Sequence, residues 1–112
     1  MSTLTKNFQR KIINNLFNII ILQTIQTEPT HGYQIIARIR EKFNEQYRPS
    51  TIYPVLIGLE REGCITSEWH TQGNRPQKTY HITPEGQKTL VELTETLNGV
   101  INKNKEAEPL IK

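Results

Sequence analysis

Residues 6–26, KNFQRKIINNLFNIIILQTIQ, place apolar side chains on two stripes, Phe8, Ile12, Leu16 and Ile19 on one and Ile13, Phe17, Ile20 and Ile25 on the other. Steps of three and four residues predict a helix that is apolar nearly all round, more than one small core can cover. Its β-branched run would suit a buried strand, but the segment is too long for one. After Pro29, Thr30 fits an N-cap, and Ile35, Ile36, Ile39 and Phe43 give a second amphipathic helix over 30–44. A polar link, NEQYRP, leads to a third helix over 50–63, capped by Ser50 or Thr51 and stopped by Gly63. Its buried stripe is Ile52, Val55, Leu56 and Leu59.

The period then changes from helical to two. Ile65, Ser67 and Trp69 alternate in CITSEWHT, and Tyr80 and Ile82 in KTYHIT. With the turn-rich QGNRPQ between them, 64–82 predicts a β-hairpin with a long, flexible tip. Thr83 as N-cap and Pro84 at the first helical position open a last helix over 83–105. In it Leu90, Leu93, Leu97 and Val100 or Ile101 recur as a seam that suits packing along another helix. The whole is mainly α with a β-hairpin, in the order α-α-α-β-β-α. That is a single winged helix-turn-helix domain over 1–112 with a long C-terminal dimerisation helix. In such an arrangement the third helix enters the DNA major groove, and the hairpin lies along the backbone or in a minor groove.

Composition narrows the classes. With 35% hydrophobic and 22% charged residues, the chain has neither a disordered nor a membrane composition. The longest apolar run, Ile19 to Leu22, is far too short to span a bilayer, and the N-terminus does not read as a secretion leader, so a cytoplasmic location is expected. One cysteine, Cys64, excludes an internal disulfide and reads as a small core residue. Residues 1–48 hold seven basic residues against three acidic ones, a balance that suits nucleic acid and equally suits a solvated face. His70 and His81 could approach across the hairpin, but no further ligand at metal spacing completes a set. No nucleophile elbow, phosphate-cradling loop or Ser–His–carboxylate grouping is present. Neither an enzyme, a cofactor nor a metal is expected.

The third helix raises the functional question. Its buried stripe is complete, yet its other face presents Thr51, Tyr53, Pro54, Ile57 and Gly58 where Lys and Glu usually sit. A face without long acidic side chains that opens on donors is what major-groove entry needs, and Arg48, Ser50, Thr51 and Tyr53 supply the donors. Pro54, lacking an N–H, suits only the start of a helix and favours a tightened first turn. Tyr33 and Gln34 open the second helix, whose backbone N–H groups suit a phosphate. The hairpin tip adds Asn74, Arg75 and Lys78, with Arg75 favoured for its planar fork. Double-stranded DNA is the partner these residues fit. The alternative is a protein-interaction module docking through Tyr53, Pro54 and Ile57. Surplus apolar surface at Ile12, Leu16 and Ile19 on the first helix, and at Leu90, Leu93, Leu97 and Ile101 on the last, predicts a homodimer.

Three stretches, HGYQIIARIREKF, RPSTIYPVLIGLEREGCI and GNRPQKTYHITPEGQKTL, together resemble the PadR family of bacterial and archaeal transcriptional regulators. The resemblance spans roughly residues 31–90, and the single long C-terminal helix is similar to the short branch of that family. It implies a homodimeric repressor on a palindromic operator, with Tyr33 and Gln34 clamping the backbone and the last helix crossing the partner's first helix. It also implies a small-molecule effector bound near the dimer interface. Some short members stack planar drugs on a tryptophan of the C-terminal helix. Here the one tryptophan, Trp69, lies in the wing and leucines take its place, which argues against that mode.

Overall fold

The computed structural model describes residues 2–43, 47–73 and 75–106. Helix α1 spans Thr3–Thr27, and Ser2 caps it by accepting from the Thr5 N–H at 3.1 Å. Only its C-terminal half enters the core, through Phe17, Ile21, Leu22 and Ile25, with Ile13, Ile19 and Ile20 packed against them. Of the two expected stripes, Phe8, Ile12 and Leu16 stay in solvent, whereas Ile19 turns toward the core.

A two-residue strand, β1 (Thr30–His31), precedes helix α2 (Gly32–Lys42). Thr30 therefore does not cap α2. It pairs with Tyr80, is buried, and its hydroxyl donates to the Glu28 carbonyl at 2.8 Å. His31 is the capping residue, and its N–H donates to the Gln34 side-chain oxygen at 3.2 Å. Ile35, Ile36 and Ile39 are buried as their spacing predicts. Phe43 is 52% exposed, because α2 ends one residue earlier and the stripe ends with it.

Helix α3 runs Pro49–Arg61 with Arg48, in extended conformation, at its N-cap. The cap thus lies two residues before Ser50, where Pro49 takes the first helical position and fixes the chain's entry. The first turn is tight, with the Thr51 N–H donating to the Arg48 carbonyl three residues back at 2.9 Å. Pro54 sits further in, where its missing N–H leaves the Ser50 carbonyl without its usual helical donor. Ile52, Val55, Leu56 and Leu59 are all buried. The helix closes in a Schellman motif: Gly63, at φ +79°, donates to Glu60, and Cys64 donates to Leu59.

Strands β2 (Ile65–Gln72) and β3 (Arg75–Ile82) form the wing, in a sheet of order β1-β3-β2. Pairing continues to Gln72 opposite Arg75, so the tip is short rather than the long loop that the turn-rich sequence suggested. Pro76 is accommodated in the central strand because β1 reaches only Thr79 and Tyr80, leaving that edge of β3 open.

Helix α4, Pro84–Glu106, starts as predicted: the Gly86 N–H donates to the Thr83 hydroxyl at 3.0 Å, which donates in turn to the Gly63 carbonyl at 2.6 Å. The core lies between α1, α2, α3, the sheet and the start of α4.

Candidate nucleic-acid interface

Helix α3 is fixed by its inner stripe, so its other face is free to carry chemistry. Arg48, Ser50, Tyr53, Pro54 and Ile57 are exposed along it and Thr51 is half-buried. Tyr53, 44% exposed, stands at the edge of the core rather than in it. No acidic side chain occurs from Arg48 to Leu59, and the first one, Glu60, accepts from the Ser67 hydroxyl of β2, at 3.0 Å to its Oε2. The carboxylate is thereby turned toward the sheet.

The start of α2 is built beside it. Tyr33 is exposed and stacks on His31 with ring centroids 5.7 Å apart and planes 13° from parallel. The His31 Nδ1 is 2.9 Å from the Thr79 hydroxyl, which fixes the stack to β3. Gln34 is half-buried and its side-chain oxygen accepts from the helix cap, which orients the amide and leaves its nitrogen as a donor for a partner. Gly32 owes its identity to packing. A Cβ there would lie 3.3 Å from the Tyr80 ring and 4.0 Å from the Tyr53 ring. Burial, then the nearby Glu60 and Tyr53, holds the Tyr80 phenol above its ordinary pKa.

On the wing Arg75 is exposed at the tip and Lys78 is half-buried. Asn74 lies outside the described residues. On the outward face of the hairpin, Glu68 Oε1 is 2.8 Å from His81 Nε2 and 3.2 Å from His70 Nε2. These side-chain hydrogen bonds, His81 first and His70 second, hold the Glu68 carboxyl below the usual carboxylate range. Among the described residues no group of three or more His, Cys, Asp or Glu is arranged to hold a metal, and no helix is long and apolar enough to cross a membrane.

The residues expected to join two copies divide. Ile12 is 61% exposed, and Leu16, Leu93, Leu97 and Ile101 are also exposed. Leu4 and Phe8 extend the α1 stripe toward the N-terminus. Ile19 is half-buried against the chain's own core, and Leu90, 6% exposed, belongs to that core. Their first duty is thus within one chain, where α1 and α4 touch. The spacing of the leucine seam could not reveal this, because the helix crosses from core to solvent partway along it.

Comparison with known proteins agrees with this geometry. The chain is 28% identical over 87 residues to transcriptional regulator Rv3488 of Mycobacterium tuberculosis, covering 78% of this chain and 77% of that one. A transcriptional regulator from Clostridium thermocellum superposes with a TM-score of 0.74 at 28% identity, over 91% of this chain and 99% of that one. A PadR-like transcription factor from Bacteroides fragilis, at 21% identity, shares the fold with a TM-score of 0.75 over 89% and 97% of the two chains. Residues 21–92, from the buried half of α1 to the start of α4, match the family described as "Transcriptional regulator PadR-like family". The chain belongs to the PadR-like family of transcriptional regulators, winged-helix proteins that act by binding DNA and not as enzymes.

Proposed function

We propose that this regulator is a repressor that binds a palindromic operator as a homodimer. The observation that carries the reading is the acid-free outer face of α3, flanked by the Tyr33 end of α2 and by a basic wing. Arg48, Ser50, Thr51, Tyr53 and Pro54 meet the major groove in this reading. Tyr33 and Gln34 bind the backbone, and Asn74, Arg75 and Lys78 follow the phosphates beside it. The dimer forms through Ile12, Leu16, Leu93, Leu97 and Ile101, with Ile19 and Leu90 supporting them from the core. One short helix reads too few bases to specify a site, and two-fold pairing remedies this.

A small-molecule effector would act by changing the angle between the two recognition helices. A cleft of about 550 Å³ between α1, α3 and α4, lined by Asn14, Pro54, Gly58, Thr89 and Leu93 among others, is large enough to take one.

The test is binding to labelled DNA from just upstream of the chain's own coding region, titrated at several salt concentrations against scrambled competitor. Tight, competitor-resistant binding that weakens steeply with salt supports the reading. Weak or salt-insensitive binding would favour the rival, a protein-docking surface centred on Tyr53, Pro54 and Ile57, since apolar contacts respond little to salt.

A further inference from the structure

Trp69 is the one tryptophan of the chain, and its position in the sheet is unusual for so large an apolar side chain. It shares a face of β2 with Ile65 and Ser67, and the register sets these three opposite Ile82, Tyr80 and Lys78. That face lies on the body of the protein near the core, where Ile65 and Tyr80 are buried. One step further out Trp69 is 66% exposed. Lys78 is not loose beside it. Its Nζ lies 5.6 Å from the centroid of the Trp69 ring and 5.6 Å from that of Tyr80, so two aromatic rings hold one ammonium group.

The pair continues a row that begins on α3. Tyr53 and Tyr80 both border Gly32, Lys78 follows, and Trp69 ends the row on the wing. The nearby carboxylate, Glu60, is engaged by Ser67. An exposed indole with a pre-positioned cation, on the side of the wing that faces the recognition helix, matches a nucleic-acid backbone better than a protein surface. Placed against two rings, the lysine has already lost part of the rotamer freedom that binding a phosphate would remove.

We infer that Trp69 and Lys78 form one composite DNA contact, in which the ammonium meets a backbone phosphate and the indole packs against the adjoining deoxyribose. This rests on the DNA-binding reading above and adds a residue to it. The contact converts the wing from a purely ionic finger into one with an apolar, salt-resistant component.

Because Trp69 is the one tryptophan, emission excited selectively from tryptophan reports this position alone. An unlabelled duplex from upstream of the coding region is titrated into the full chain while tryptophan emission is read. Anisotropy of a labelled copy reports binding independently. The expected results are a change in emission that tracks binding, a roughly tenfold loss of affinity in Trp69→Ala, and a smaller loss in Trp69→Phe. Lys78→Ala should lower the salt slope by about one, and its effect should shrink in the Trp69→Ala background. Binding by anisotropy with unmoved emission, and wild-type affinity in a folded Trp69→Ala, would overturn the inference and leave DNA binding intact. An indole shielded from acrylamide by raising protein concentration, without DNA, would assign it to a protein contact and also overturn it. If no duplex binds at all, the reading beneath it fails and the inference with it.

Discussion

At the scale of single residues, several identities trace to one crowded point. A Cβ on Gly86 would lie 2.0 Å from the Cys64 carbonyl oxygen, a backbone atom that cannot step aside. Gly86→Ala should therefore cost about 3 kcal/mol, by forcing the start of α4 off the end of α3. Thermal denaturation should show a melting temperature lower by roughly 12 °C. A melting temperature within about 2 °C of wild type would mean that α4 can slide there at little cost. Glu68 gives a pH-dependent counterpart. Its pKa is lowered in the fold by the His81 and His70 hydrogen bonds, so it stabilises the wing at pH above the ordinary carboxylate range. That contribution is lost as pH falls through the lowered value. Between about pH 6 and about pH 3, wild type should lose more thermal stability than Glu68→Gln, and the effect should be modest because the cluster is exposed. Parallel curves would show the hydrogen bonds to be energetically neutral.

At the scale of elements, the sequence reading succeeded where periodicity had room to show itself. The inner stripe of α3, the Gly63 stop and the Thr83 cap could be read directly, since each rests on a local rule of geometry. Strand β1 could not, because two residues cannot display a period. Thr30 accordingly looked like a cap when its hydroxyl was needed to satisfy the Glu28 carbonyl. Pro49, at the first turn, decided the start of α3 over the better-known capping residues that follow it. The outer face of α3 was legible as the remainder once its core stripe was subtracted. The commitment of Gln34 to its own helix cap was not, since it depends on where α2 begins. The proposed interface predicts different signatures for its parts. Arg75→Ala should reduce the salt slope of DNA binding by about one and weaken all sequences alike. Tyr53→Ala should cost roughly 1–3 kcal/mol on the operator and little on scrambled DNA. Equal losses on both would demote Tyr53 to a backbone contact.

At the scale of the whole molecule, the distribution of apolar surface decides how the chain is completed. The N-terminal half of α1 and the C-terminal half of α4 extend beyond the core with apolar stripes in solvent, in a chain 56 Å along its longest axis. Leu97→Glu places a charge on that surface without touching the core, so on the proposed homodimer sedimentation should report a dimer for wild type and a folded monomer for the variant. A dimer that survives would assign the seam elsewhere on α4. Leu90→Glu should differ, unfolding the chain outright, because Leu90 is part of the core of one copy.

The joint between α3 and α4 has a mechanical consequence. Thr83 bonds to both carbonyls that end the α3 turn, through its hydroxyl to Gly63 and through its N–H to Cys64, and Gly86 is seated against the second of them. With 23 residues, α4 is a lever of about 35 Å, so displacing its far end by about 3 Å turns it by roughly 5°. The joint through which such a turn would pass to α3 is no wider than one glycine.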